Sequence, residues 1–246
     1  MGPREFHPEI PSTQDRAIEL ARSGAAEGTR VVAHRQTHGR GRLDHSWISP
    51  PGGLYLSIVL RAPAEHATLL PIALGARLAH ELTDQLSRSF VVKWPNDVLV
   101  ASPPFAGHKV AGILVDRVDL PDGDPVEVAG IGVNVSTERS AFPPELQEIA
   151  ISLAEVAPIP PSLDAVEAAV VRSAMKAAIG LRGPGGVEAT RRLCRQWLSG
   201  VGRRVTVDGR PDGTIVGLDD DGALLLDRGS ERVAIRAGDV RVEEVA

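Results

Sequence analysis

Apolar residues recur along this chain with a period of two in some stretches and of about four in others. That alternation predicts its elements. LYLSIVL (54–60) alternates and is β-branched, which predicts a strand. FVVKW (90–94), KVAGILVDRV (109–118) and PVEVAGIGVNV (125–135) predict three more, and VVAH (31–34) a short one. Residues 68–87 carry Leu70, Leu74, Leu78 and Leu82 at intervals of four, one face of a helix. Residues 13–23, 163–181 and 186–199 also predict helices. PSTQD opens the first of them, and Ser12 with Asp15 three residues later has the form of a capping box. SPPFAGH (102–108) predicts a turn.

Two stretches depart from this pattern. Residues 35–53, RQTHGRGRLDHSWISPPGG, form a loop punctuated by glycine and proline, and loops of that length in a compact domain are usually functional or disordered. From about residue 201 the chain changes to short strands: RRVTVDG, GTIVGLDD, GALLLDR and ERVAIRAGDV. Asp-Gly pairs at 208–209, 212–213 and 221–222 predict the hairpin turns between them. The expectation is two units, residues 1–199 and a small β-barrel over 200–246.

Bulk composition narrows the function classes. Hydrophobic content of 43% and charged content of 24% are ordinary for a globular protein. A net charge of −5 weighs against a general nucleic-acid binder. No stretch approaches the length of a membrane span, and MGPREFHPEI lacks the apolar run of a signal peptide. The single Cys194 cannot form an internal disulfide, which fits a cytoplasmic setting.

The rare residues point to the chemistry. The chain has 24 arginines but only three lysines and two asparagines. Lys93 and Asn96 fall in KWPND (93–97), Lys109 in HKVAGIL (108–114) and Asn134 in GIGVNV (130–135). Trp94, one of three tryptophans, falls among them. Lysine is a compact point charge and arginine a planar fork, so lysines kept in an arginine-rich chain are candidates for work that arginine cannot do. In the loop, Gly39-Arg40-Gly41-Arg42 alternates glycines, which allow close backbone approach, with guanidinium donors suited to phosphate or carboxylate. Gln36, Thr37, His38 and Trp47 flank the arginines, a set able to recognise a small polar ligand and close over it. In KWPND, Pro95 stops the strand. Asn96-Asp97 is then either plain turn chemistry or a magnesium–phosphate contact, with Lys93 on a phosphate or a carboxylate. Lys109 starts a buried strand in which Gly112 permits close approach; the alternative is a lysine at the sheet rim. Asn134, alone in an apolar strand, is a ligand contact or a satisfied core amide. GIGVNV lacks the third glycine and the strand–turn–helix setting of a dinucleotide fingerprint. No phosphate-loop, HExxH or GxSxG motif occurs. His34 and His38 have the spacing of metal ligands on a helix, but Gly39 directly after them and the loop context argue against one, so no metal site is expected.

These segments, in their order and spacing, resemble biotin protein ligases. PSTQD, RQTHGRGRLDHSW, SPPGGLYLSIVL, KWPNDVLV, HKVAGILVD and GIGVNV carry the resemblance over residues 11–155, with ISLAEV (151–156) at its end. It extends loosely into the tail. The resemblance implies an α+β fold, a mixed β-sheet backed by helices with a small SH3-like C-terminal barrel. It implies that biotin and Mg-ATP are substrates, with no permanently bound cofactor. They form biotinyl-5′-AMP, and biotin then passes to a lysine of the biotin carboxyl carrier domain of a carboxylase. By position, Ser12, Thr13, Gln14, Gln36, Gly39, Arg40, Gly41, Arg42, Lys109 and Gly112 would hold biotin. Arg42, Trp47, Lys93, Asn96, Asp97, Lys109 and Asn134 would hold ATP or the adenylate. Lys109, Arg40 and Arg42 would be the catalytic cations.

Departures from the family pattern are Gln14, where asparagine is usual, His45, where a further arginine is frequent, and Asp44, where glycine is frequent. Only 11 residues precede the Ser-Thr motif, so the expectation is the monofunctional type without a DNA-binding domain and with no nucleic-acid or membrane partner; a homodimer stays open. The rival readings are lipoate ligation or octanoyl transfer on the same fold, and a non-catalytic biotin-binding protein.

Overall fold

The structure is a computed structural model and describes residues 2–43, 45–120 and 123–243. Asp44 therefore lies outside the described residues. In chain order the core elements are β1 (Arg4–His7), α1 (Thr13–Arg22), β2 (Arg30–Ala33), β3 (Gly53–Leu60), α2 (Leu70–Leu86), β4 (Phe90–Lys93), β5 (Asp97–Val100), β6 (Lys109–Val118) and β7 (Val126–Asn134). The short helices α3 (Pro144–Gln147) and α4 (Leu153–Val156) follow, then α5 (Leu163–Gly180) and α6 (Pro184–Trp197). The tail contributes β8 (Arg204–Val207), β9 (Arg210–Leu218), β10 (Leu224–Asp227), β11 (Arg232–Ile235) and β12 (Val240–Val242).

Seven strands form one mixed sheet in the order β1-β2-β3-β7-β6-β5-β4. Only β1 and β2 run parallel. All eight residues of β3 are buried, because helices cover both faces of the sheet. On one face α1 packs Ala17 and Ala21 against Val31, Val59, Val126 and Val128. On the other, α2 lays its leucine stripe on β4, β5 and β6, and α5 packs on β3. Successive strand residues point to opposite faces, so β7 divides cleanly. Ala129, Ile131 and Val133 join the α2 side, and Val126 and Val128 lie under α1. Further along that second face β7 places Gly130 and Gly132, residues with no side chain to fill the space past the start of α1.

The cap of α1 matches only half of its predicted box. Ser12 Oγ accepts from the Asp15 amide at 3.2 Å, but the Asp15 carboxylate turns to Arg40 instead. A complete capping box occurs at Ser152 and Glu155, ahead of α4.

The tail is a five-stranded antiparallel sheet in the order β11-β10-β9-β8-β12. Among the described residues β11 and β12 do not pair, so the sheet is open where the sequence predicts a barrel. Asp208-Gly209 makes the expected two-residue hairpin between β8 and β9, both residues having positive φ. Asp212-Gly213 is not a turn: β9 continues through it, with a shift of register against β8 at that point. Gly213 is needed there for close approach, since a Cβ would lie 2.6 Å from the Asp227 carbonyl oxygen on β10. The tail's Val205, Ile215, Leu218, Leu224, Leu226 and Val240 belong to the same apolar cluster as α2 and β4. The Trp94 indole N–H, donated to the Gly222 carbonyl at 2.9 Å, ties the two sheets together. Among the described residues no helix is long and apolar enough to cross a membrane.

Candidate active site

A cavity of about 730 Å³ opens where α1 starts, the 36–47 loop crosses the sheet and the tail meets it. Thr13, Gln14, Gln36, Arg40, Gly41, Arg42, Trp47, Lys93, Asn96, Asp97, Lys109 and Gly112 all line it. These residues come from four separated stretches of chain. Three predicted residues are elsewhere. Ser12 is buried at the helix cap, Gly39 sits under the loop, and Asn134 is interior. Sequence reasoning did not single out Ser57, Gly130, Gly132, Asp116, Asp239 or Arg241. Only the glycines carried a signal, a period-two pair in an apolar strand.

The floor is a strip of glycines. Gly112 and Gly132 are register partners on β6 and β7, and the Trp47 ring occupies the space beside both. A Cβ on Gly132 would meet the indole at 2.4 Å, and one on Gly112 at 2.6 Å. Gly130 likewise makes room for Gln14.

A neutral hydrogen-bond chain forms one end. The Thr13 amide and hydroxyl donate to Gln36 Oε1 at 2.8 and 3.0 Å. Thr13 has one hydroxyl proton and spends it there, so the Ser57 hydroxyl, 2.9 Å away, donates to Thr13. Gln36 Nε2 donates to Ser49, and Ser49 donates to the Trp47 carbonyl. The chain thus runs in one direction from the sheet to the loop. Gln14 Nε2 donates to Asp116 and to the Val128 carbonyl, while its Oε1 and the Trp47 indole N–H are buried with no hydrogen-bond partner among the described residues.

Cations form the other end, mostly held by carboxylates. Arg40 Nη1 is 2.9 Å from Asp15 and 3.2 Å from Asp116. Lys109 Nζ is 2.7 Å from Asp97 and lies over the Trp47 ring at 5.0 Å. Lys93 reaches Asp239 of the tail at 3.9 Å, and Arg241 holds the same carboxylate at 2.8 Å. Burial lowers the Arg42 pKa, partly countered by Asp97. Arg42 touches the Asn96 carboxamide at 3.5 Å, and Asn96 in turn donates to the Ile113 carbonyl at 2.6 Å. Asp97 is thus a partner of Lys109 in this state. Among the described residues no cluster of three or more His, Cys, Asp or Glu could hold a metal ion.

Residues 6–136, more than half of the chain, match the Biotin/lipoate A/B protein ligase family. The chain belongs to that family. Residues 200–242 match the Biotin protein ligase C terminal domain. The chain is 31% identical to the "Bifunctional ligase/repressor BirA" of Bacillus subtilis, over 96% of this chain and 73% of that protein. It is 29% identical to the "Biotin--[acetyl-CoA-carboxylase] ligase" of Mycobacterium tuberculosis, over 93% of this chain and 85% of that one. Among solved structures, the "Biotin protein ligase from Aquifex aeolicus in complex with biotin and ATP" superposes with a TM-score of 0.82. Its identity is 28%, and all of both chains is covered. The mixed sheet with helices and the C-terminal sheet unit are the ligase fold, as the sequence led us to expect.

Proposed function

We propose that this protein is a biotin protein ligase, which activates biotin with ATP and transfers it to a lysine of a carboxylase carrier domain. The observation that carries the reading is the convergence of the rare and motif residues from four stretches of chain on one cavity. In the first step the biotin carboxylate attacks the α-phosphorus of ATP, giving biotinyl-5′-AMP and releasing pyrophosphate. In the second the carrier lysine amine attacks the acyl carbon and AMP leaves.

The two ends of the cavity suit these partners. The neutral end offers donors and acceptors to a small polar ring, with Thr13, Gln36 and the open Gln14 Oε1 as the shelf. Joining a carboxylate to a triphosphate brings two anions together, so fixed cations must offset the repulsion and the charge that develops at phosphorus. Lys109, Arg40 and Arg42 take that role, Lys109 as a mobile point charge able to follow the reacting oxygens. Lys93 and Asn96 face the nucleotide, and Trp47 covers the floor. Magnesium enters with ATP as part of the substrate. The chain divides in this reading into a catalytic unit, 1–199, and a tail unit, 200–246, which supplies Asp239 and Arg241 to the cavity wall. The setting is the cytoplasm, where carboxylases and ATP are found together.

Acyl transfer through a thiol does not suit the geometry. Cys194 is buried in α6 away from the cavity, and burial pushes its thiol pKa up to about 12. The decisive assay is pyrophosphate release from ATP, followed by labelling of a carrier domain. Biotin should drive both and lipoate neither. Release driven by lipoate and not by biotin would overturn the assignment.

A further inference from the structure

Gln14, in the first turn of α1, carries an acceptor that the fold does not use. The residue is 3% exposed, and both hydrogens of its carboxamide nitrogen are spent. One goes to the Val128 carbonyl at 2.9 Å and the other to Asp116 Oδ2 at 3.1 Å. Asp116 and Val128 are register partners on β6 and β7, so the sheet itself holds these two acceptors side by side. A carboxamide has donors at one end and an acceptor at the other. Turned over, it would set its oxygen against a carboxylate and a carbonyl. The oxygen therefore faces away from both, over Gly130, where a Cβ would lie 2.6 Å from it. There it is buried with no hydrogen-bond partner among the described residues. Gln14 and Gly130 both line the cavity, so the open acceptor belongs to its wall. A buried acceptor without a donor is costly, and a ligand that brings one is favoured by that cost.

Asp116 is not among the residues that line the cavity; it stands behind Gln14. Of the two acceptors on the Gln14 nitrogen it is the carboxylate, and hydrogen bonds to carboxylates are roughly twice as strong as those between neutral groups. It therefore contributes most to the choice between the two orientations. The oxygen that receives Gln14 is also 3.2 Å from Arg40 Nη1, so one atom joins the neutral end of the cavity to its cations. Thr13 and Gln36 are bonded to each other, and that chain does not reach the Gln14 oxygen.

We infer that Asp116 is a positioning residue for specificity: it holds the Gln14 carboxamide with its oxygen inward, so that the cavity selects a ring carrying an N–H donor. This rests on the reading of the cavity given above. The ureido ring of biotin has two N–H groups and the dithiolane ring of lipoate has none, so one fixed acceptor separates them. A site built to bond a substrate N–H rejects the analogue that lacks it, because its own buried group is then left unpaired.

The test is calorimetric titration of the full chain with biotin and with two biotins methylated on one or the other ureido nitrogen. In wild type, methylation of the nitrogen that faces Gln14 should weaken binding roughly tenfold or more. Gln14→Leu removes the acceptor and Asp116→Ala frees the carboxamide to turn. Each should weaken biotin by roughly tenfold and shrink the penalty of that methyl group. Because Asp116 acts through Gln14, adding Asp116→Ala to Gln14→Leu should cost nothing further. Wild type that binds both methylated biotins as well as biotin would overturn the inference, and this arm needs no variant to fold. So would an Asp116→Ala loss as large beside Gln14→Leu as alone, which would make Asp116 a residue of the loop or the fold. Wild type that binds neither biotin nor its analogues would refute the function, whereas equal binding of all three refutes only the positioning role.

Discussion

The two ends of the cavity are built on opposite plans. At the neutral end Thr13, Gln36 and Ser49 are already joined to one another in one directed chain, with the second Gln36 N–H left for a ligand. At the charged end Arg40, Lys109 and Lys93 are held by Asp15, Asp116, Asp97 and Asp239. A carboxylate can be replaced by a phosphate, since both accept the same charge-assisted bonds. The neutral end is thus finished before ligand arrives, and the charged end must exchange partners when it does. The loop between them carries the glycines that such an exchange needs. In the proposed function, selectivity for the small substrate belongs to the preformed half and catalysis to the half that rearranges.

That contrast can be broken at either end, and the effects should differ in size and kind. Lys109→Ala should cost the most. Removing one electrostatic donor from a reacting centre typically costs about 10²–10³ in rate. Adenylate formation measured in a single turnover should fall by that much while the melting temperature moves little. Supplied biotinyl-adenylate should restore carrier labelling more than it restores the overall reaction. Near wild-type adenylation would remove Lys109 from the mechanism.

Gln36→Ala should cost less in rate and more in stability. It strips the Thr13 amide of its acceptor, and an unsatisfied buried group costs about 1–3 kcal/mol. A lower melting temperature and a KM for biotin raised about tenfold are expected, with kcat nearly kept; loss of kcat at an unchanged KM would blur the contrast.

The smallest effect belongs to Asp15→Asn. The Asp15 side chain is 58% exposed and competes with phosphate for Arg40. Exposed pairs are worth at most about 1 kcal/mol, so binding of ATP should tighten by no more than about fivefold. Weaker binding would show that Asp15 organises Arg40 for the ligand and does not stand in for it.

Much of this was legible along the chain because period-two and period-four patterns are local. The strands at 54–60, 109–118 and 126–134 and the leucine-striped helix α2 carry their burial in their own spacing. β1, REFH, escaped because it is a polar edge strand with no buried residue, only half-buried at alternate positions. β5 escaped because DVLV follows a proline turn within a motif that reads as one piece. Asp212-Gly213 looks like the genuine turn four residues earlier, and only the neighbouring strand shows that the glycine serves close packing. The site residues were visible as rare types, whereas their partners Ser57, Asp116 and Asp239 were not, being ordinary residues brought in by strand register. For Asn134 the sequence left a ligand contact and a core amide equally open; its carboxamide nitrogen is spent on the Lys109 and Ile151 carbonyls, and its oxygen stays open to a ligand.

The contrast between the two halves is tested most directly by hydrogen exchange, on the protein alone and with biotin plus a non-hydrolysable ATP analogue. The account predicts a large gain in protection over residues 39–47 and little change at Thr13, Gln14 and Ser57, whose bonds already exist. Equal gains at both ends, or a loop that stays as it was, would contradict it.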